Sequence, residues 1–231
     1  MTAARHSARW SGVLLAAAVP LAGAMDPPAT QPPPPSEAER LLFVHDHLRA
    51  SRSPGSLGYR YVEEAEGQPD VNDRAVLTLA AGARGRCCNI DGDYLSGARA
   101  VKLPGIPDAR ANPVLLYFLE GEVRRLERTT KGQAAHFRRR IRLALADAAT
   151  VSDGTIRWRG QSVPARIVRV APFAGDPYRE RFMGQAATEY AFVLSDAVPG
   201  GVYQLSATLP GPAAGAAALA RRTLSLEEPP P

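Results

Sequence analysis

The sequence has few cysteines: two among 231 residues, and these are neighbours, Cys87 and Cys88. Small disulfide-stapled folds space several cysteines along the chain, so a framework of that kind is excluded. A bridge between adjacent residues is cramped, because consecutive Cα atoms lie only about 3.8 Å apart. Two small, partly buried thiols are the simplest interpretation, and a vicinal disulfide or an intermolecular bridge are the alternatives.

Motifs for catalysis and for metal binding are also lacking. The chain has no G-x-S-x-G segment, which serine hydrolases of the α/β type require. His45 and His47 lie in a predicted helix, where side chains two positions apart diverge by about 200° and do not converge on one ion. We therefore predict neither a metal site nor a cofactor, and we predict that the protein is not an enzyme.

Weaker catalytic candidates remain in the sequence. Residues 89–93 (NIDGD) resemble part of a calcium loop but lack the later glutamate that such loops need. Isolated carboxylates and one serine–aspartate pair could belong to a hydrolase site: Asp70, Asp73 and Ser195-Asp196. A hydrolase, or a redox enzyme using the cysteine pair, is the third functional hypothesis, after two non-enzymatic ones.

Long apolar runs are restricted to the start of the chain. Arg5 and Arg9 precede an apolar run from Gly12 to Leu21, and the small residues 22–24 (AGA) follow it. This order is typical of a cleavable signal peptide, and the run is too short to span a bilayer. We predict that residues 1–24 are removed, that the protein is periplasmic, and that the mature chain has no transmembrane segment.

Charge of one sign is only slightly in excess. Without the two leader arginines, 26 basic residues stand against 23 acidic ones, a net charge of +3. This excess is too mild to indicate nucleic-acid binding. The predicted organisation is a proline-rich spacer over 25–35, a single globular domain over 36–226 and a tail over 227–231.

The order of predicted elements indicates an α+β fold. A capping box at Ser36 starts a helix over 37–50, and Asn112-Pro113 starts the first of two central helices, over 112–130 and 133–148. About eight or nine strands with short connections favour an antiparallel sheet. They are predicted at 57–64, 75–81, 84–90, 93–96, 155–158, 162–171, 189–194, 202–209 and 222–226. The pair 84–90 and 93–96 is predicted to form a hairpin around Asp91-Gly92.

Three strings, NPVLLYFLEGEVRRLERTTKGQAAHFRRRIRLAL, DPYRERF and YAFVLSDAVPGGVYQL, resemble a family of exported proteobacterial proteins, a resemblance that implies no activity. The element order alone resembles the periplasmic lipoprotein-carrier superfamily. That resemblance implies a sheet curved into a half-open barrel, covered by a central helix pair and an N-terminal helix. It also implies a lid over an apolar cavity that holds acyl chains, although a fold does not determine function.

The aromatic residues are sparse, at 6% of the chain, but several lie on predicted strands: Tyr59, Tyr61, Trp158, Tyr190, Phe192 and Tyr203. One interpretation places them in the core of the sheet. The other makes them the lining of a concave apolar pocket. On the second interpretation, the protein binds an apolar or amphiphilic, lipid-like envelope molecule, and this is the leading functional hypothesis.

Basic charge is concentrated on the central helices. Residues 112–148 contain eight arginines and lysines against four acidic residues. Arg138, Arg139 and Arg142 are therefore candidates for contact with an anionic surface such as lipid headgroups. The alternatives are a solvated helix face with internal pairs such as Glu120–Arg124, and an interface with an envelope protein. That protein–protein interaction module is the second functional hypothesis.

Overall fold

A computed structural model describes residues 33–83, 87–213 and 215–228 of the chain. The predicted signal peptide and most of the predicted proline-rich spacer lie outside these residues. Within the described part of the chain, every helix is too short or too polar to cross a bilayer.

The described chain forms one open antiparallel sheet of eight strands, in the order β3-β2-β1-β8-β7-β6-β5-β4. In chain order the strands are β1 Gly55–Ala65, β2 Val71–Ala81, β3 Cys87–Tyr94, β4 Thr150–Trp158, β5 Gln161–Val170, β6 Glu189–Leu194, β7 Val202–Leu209 and β8 Ala220–Leu226. Strands β3 and β4 are its two edges, so the sheet does not close into a barrel. The predictions of an α+β chain and of about eight or nine antiparallel strands are confirmed.

Two meanders build the sheet. Strands β1 to β3 follow one another across one half, and β4 to β8 return across the other half until β8 pairs with β1. In this central pair, Tyr61 lies opposite Leu224. Strand β1 buries Leu57, Tyr59 and Tyr61 on alternate positions, because successive side chains of a strand point to opposite faces.

The N-terminal helical segment is shorter than predicted. Helix α1 spans Glu37–Glu39 and continues as a π-helical turn over Arg40–Val44. The predicted capping box is present, since Ser36 N–H donates to Glu39 Oε2 at 2.8 Å and Ser36 Oγ accepts from Glu39 N–H. The segment ends early because the chain extends at His45, and the prediction of a helix to residue 50 is wrong.

The two central helices lie within two residues of their predicted bounds. Helix α2 spans Val114–Thr130 and α3 spans Ala134–Asp147. Asn112 Oδ1 accepts the Val114 N–H at 3.1 Å, which satisfies one of the free donors at the start of a helix. The left-handed conformation of Lys131 ends α2.

Aromatic rings join α2 to the sheet. The Phe118 ring meets Tyr190 and Phe192 of β6 edge-on, with centroids 6.4 Å apart in each case. A second group forms around α3, where Phe137 contacts Phe173 and Phe182 in the same geometry. Edge-to-face contacts of this kind add to the stability that comes from burying the rings.

The predicted hairpin at Asp91-Gly92 is wrong, because β3 runs through these residues without a turn. The glycine is explained instead by close packing. A Cβ atom at Gly92 would lie 2.7 Å from the Tyr117 ring of α2, and the Tyr117 hydroxyl donates to the Gly92 carbonyl at 3.2 Å. Cys87 and Cys88, at the start of the same strand, have their sulfur atoms in contact. After β5, a 3₁₀ turn spans Arg179–Phe182.

Candidate functional site

The six aromatic residues predicted to line a ligand cavity lie in or against the core. Tyr59, Tyr61, Trp158, Tyr190 and Phe192 are buried. Tyr203 is partly buried, and its ring meets Trp158 edge-on at 6.4 Å. Their role in binding a ligand stays a prediction.

An apolar groove lies on the outer side of the helices. It has a volume of about 530 Å³, within the usual range of ligand sites, about 300–1,000 Å³. We call it the helical groove. Its apolar lining comes from the N-terminal segment, the loop after β3, and both central helices: Phe43, Leu103, Leu116, Leu119, Val123, Ile141 and Leu145.

Several apolar side chains of this region are open to solvent. Leu116 is 45% exposed and Phe43 is 37% exposed, and both line the helical groove. Leu116 projects from α2 on the side away from Tyr117 and Phe118, which are buried against the sheet. A contiguous exposed apolar surface rimmed by polar groups is typical of an interaction or ligand site.

Charged residues form the rim of the helical groove. Glu120 is shared by two arginines, since Arg138 NH2 lies 2.7 Å and Arg124 Nε lies 3.1 Å from its carboxylate. The hydrogen bond from Arg138 lowers the pKa of Glu120, against the opposing effect of burial. The predicted Glu120–Arg124 pair is therefore present, and one of the predicted contact arginines, Arg138, is engaged with the same carboxylate.

The other two predicted contact arginines are free. Arg139 and Arg142 are exposed, and neither has an ion-pair partner within residues 33–83, 87–213 and 215–228. They are three positions apart on α3, so they lie on neighbouring turns of one helix face. Arg142 lines the helical groove together with Glu39, Glu120 and Arg138, so two positive and two negative side chains border its apolar surface.

A buried ion pair joins α2 to the centre of the sheet, and the sequence analysis missed it. Arg222 on β8 donates to Glu122 through Nε at 2.7 Å and through a terminal nitrogen at 3.0 Å. Arg125 adds bonds of 3.2 Å to the same carboxylate. Burial by itself raises the pKa of Glu122, but the charges of Arg125 and Arg222 outweigh it and hold that pKa at about 2.

The candidate catalytic residues do not form a nucleophile–base pair. His45 Nε2 lies 2.9 Å from Asp196, which also pairs with Arg49. Ser195 turns away, since its hydroxyl donates to the Pro164 carbonyl at 2.6 Å. Asp73 accepts from the backbone and side chain of Ser96, and Asp70 is exposed.

His47 has a structural role. Its Nδ1 accepts the Asn112 N–H at 3.1 Å, and its Nε2 donates to the Leu41 carbonyl at 2.8 Å. These bonds hold the neutral ring between the N-terminal segment and the start of α2. Burial is the main cause that lowers the pKa of His47 to about 4.

A histidine–carboxylate pair lies where α3 meets the segment after β5. His136 Nε2 lies 2.8 Å from the buried Asp176, which also pairs with Arg140 at 3.0 Å and accepts the Tyr178 N–H. Among the described residues, no serine, threonine or cysteine side chain is hydrogen-bonded to His136. The arrangement fixes the ring but supplies no activated nucleophile.

In the part of the chain that the structure describes, no three histidine, cysteine, aspartate or glutamate side chains are grouped as a metal site would require. No protein-family model matches the chain, and no curated protein matches it in sequence.

Proposed function

We propose that this protein is an exported, non-enzymatic binder of an anionic amphiphile, an acyl chain carrying a carboxylate or phosphate headgroup. The observation that carries the proposal is the helical groove, an apolar channel of about 530 Å³ lined in part by Arg142, which has no ion-pair partner among the described residues. The apolar side chains receive the acyl chain, and Arg139 and Arg142 attract the headgroup.

The energetics require both parts of this surface. Each methylene that leaves water for an apolar surface contributes about 0.8 kcal/mol, so ten contribute about 8 kcal/mol. Association itself costs about 4 kcal/mol or more. The binding free energy that remains after this cost corresponds to weak binding, comparable to that of a single acyl chain at a membrane. The arginines therefore decide whether the chain is retained and which headgroup is preferred.

The groove modifies the site that the sequence suggested. In the earlier hypothesis the ligand lies inside a curved, half-open sheet, beneath the helices as a lid, against Tyr59, Tyr61, Trp158, Tyr190, Phe192 and Tyr203. With Phe118 packed on Tyr190 and Phe192, that interior requires α2 to move away. The helical groove requires no such movement, so we place the acyl chain there. We keep the periplasm as the proposed location.

Displacement of a fluorescent fatty acid from the purified chain tests the proposal, with sedimentation on anionic phospholipid vesicles as a second measurement. Leu116→Gln places a polar group in the groove, and we expect about tenfold weaker binding of the fatty acid. The matched control is Leu219→Gln, a leucine at 37% exposure that does not line the groove. We expect the control to bind like the unchanged chain.

Charge reversal tests the headgroup. Arg142→Glu should weaken binding to anionic vesicles and reduce its dependence on salt, because one attractive contact becomes repulsive. Absence of fatty-acid binding by the unchanged chain would overturn the proposal. Equal losses in the Leu116 and Leu219 variants would do the same. Stoichiometric capture of one envelope protein, lost in Arg142→Glu while fatty-acid binding is absent, would favour the protein-interaction module.

A further inference from the structure

A second pocket lies on the opposite side of α2 from the helical groove. It has a volume of about 260 Å³, and its polar lining comes from β1, the end of β3, the 3₁₀ turn over Gly97–Arg99 and α2: Tyr61, Glu63, Tyr94, Arg99, Glu122, Arg125 and Arg128. We call it the arginine pocket. Residues 121, 125 and 128 of α2 point about 180° away from residues 116, 119 and 123, given 3.6 residues per turn.

The acidic groups of this pocket are already neutralised. Glu63 accepts a hydrogen bond of 3.0 Å from Arg99. Glu122, at the inner wall, is neutralised by Arg222 from the far side through two bonds. Arg125 shares the Glu122 carboxylate with Arg222, and Arg128 has no ion-pair partner among the described residues. The lining together with Arg222 therefore has a net charge of +2.

Arg125, a lining residue of the arginine pocket, has N–H donors that no described residue uses. Three of the five N–H donors of Arg125 are used, two by Glu122 and one by Gln185, so two remain. These bonds also fix the guanidinium, whose side chain is only 16% exposed. Arg128 makes no ion pair with any residue in the described ranges.

The Tyr94 hydroxyl adds a donor of a different kind. Tyr94 is buried and stacks on Tyr117, yet its hydroxyl has no hydrogen-bond partner among the residues that the structure describes. Gly121 allows this approach, because a Cβ atom there would lie 3.2 Å from the Tyr94 ring. Burial raises the pKa of Tyr94 far above its ordinary value, so the hydroxyl keeps its proton.

We propose that the arginine pocket binds a phosphate group, free or as a phosphomonoester, through Arg125, Arg128 and the Tyr94 hydroxyl. A dianion matches the net charge of +2, and arginines recognise phosphate oxygens through paired N–H donors. The volume suits a small polar group rather than an acyl chain, since pockets for larger ligands start at about 300 Å³. This site is separate from the helical groove and does not depend on it.

Isothermal titration of the full chain with inorganic phosphate and with glycerol phosphate tests the assignment. Arg128→Gln removes an exposed charge without disturbing the buried ion pair, and we expect about tenfold weaker phosphate binding. Tyr94→Phe removes one hydroxyl, and we expect about threefold weaker binding. The matched control is Arg124→Gln on the same helix, whose side chain pairs with Glu120 on the other face and which we expect to bind phosphate normally.

The source of the phosphate is separated by a third titration, with vesicles containing phosphatidic acid. Vesicle binding that glycerol phosphate displaces, and that Arg128→Gln weakens, would support the pocket with a lipid headgroup as its occupant. No binding of either soluble phosphate, or equal losses in Arg124→Gln and Arg128→Gln, would overturn the assignment. Leu116→Gln serves as a cross-check: phosphate binding should be unchanged in that variant even where fatty-acid binding is lost.

Discussion

Folding stability depends strongly on the buried ion pair between Glu122 and Arg222. The Glu122 and Arg222 side chains are 5% and 3% exposed, and they join α2 to the central strand β8. The substitution Glu122→Gln keeps the shape of the side chain but removes its charge. Arg222 is then buried beside a neutral amide, with Arg125 as a second positive charge nearby.

The loss of charge compensation gives the size of the effect. Removing one partner of a buried ion pair costs about 3–5 kcal/mol, because the remaining charge is left uncompensated. The direction agrees with the pKa of Glu122, which burial raises but the charges of Arg125 and Arg222 lower further. We therefore expect Glu122→Gln to lower the free energy of unfolding by about 3–4 kcal/mol.

Urea unfolding followed by far-ultraviolet circular dichroism measures this change. The matched control is Glu120→Gln, two positions away on the same helix, whose partners Arg124 and Arg138 are 39% and 53% exposed. Pairs of this exposure contribute about 1 kcal/mol or less. The double variant Glu122→Leu with Arg222→Met should recover much of the loss, since apolar replacement of both partners is often neutral.

A loss below about 1 kcal/mol in Glu122→Gln would refute the reasoning, because it falls within the range of an exposed pair. Equal losses in Glu122→Gln and Glu120→Gln would refute it as well. If the double variant were less stable than Glu122→Gln, the pair would be contributing more than charge compensation.

Two further predictions follow from the geometry. Because the pKa of His47 is lowered from 6.5 to about 4, the folded state binds its proton less readily than the unfolded state, so stability is complete above pH 6.5 and falls between about pH 6.5 and 4. The loss should reach about 3 kcal/mol, and unfolding of His47→Gln should show a flatter dependence over that window; an identical slope would contradict the assignment. Gly92→Ala should cost about 1–3 kcal/mol by overpacking against Tyr117, and Tyr117→Ala should relieve most of that penalty; equal penalties in both backgrounds would remove the proposed contact.

Much of the fold follows from local patterns in the sequence. Asn112-Pro113 predicts the start of α2 because both residues act within one turn of the chain. Alternation predicts β6 and β7 at the residues where the structure has them. The predicted N-terminal helix is too long because His47 accepts a hydrogen bond from Asn112, a contact between residues 65 positions apart in the chain. The helical spacing of leucines in a sequence does not indicate contacts of this kind.

Gly92 shows a second limit of predicting structure from the sequence. Asp-Gly is a strong local indication of a hairpin turn, yet the glycine is required by the Tyr117 ring, which lies 25 positions further along the chain. A glycine in a strand has two explanations, a turn or a close approach, and a single sequence does not distinguish them. Only the position of α2 on the sheet decides between the two.

Candidate sites were harder to predict than elements, since each combines residues from distant parts of the chain. The sequence shows that arginines are concentrated on α2 and α3, but it does not show which of them form ion pairs. Arg138 is held by Glu120, Arg125 by Glu122 and Gln185, whereas Arg128 and Arg142 have no ion-pair partner among the described residues. Whether an arginine is paired depends on whether the tertiary structure places a carboxylate beside it. The number of charges alone therefore predicts a basic surface but not a binding site.

Helix α2 explains why two different surfaces arise from one basic segment. Its residues 114, 115, 118 and 126 are buried, which leaves two flanks, one toward α3 and one toward the end of β3. On the first flank, Leu116 and Leu119 face Ile141 and Leu145 across an apolar channel. On the second flank, Gly121 makes room for Tyr94, and Arg125 and Arg128 remain beside it. With 3.6 residues per turn, the residues of α2 that line the helical groove and those that line the arginine pocket lie on opposite sides of the helix. A ligand bound on one flank therefore has no direct contact with the other flank.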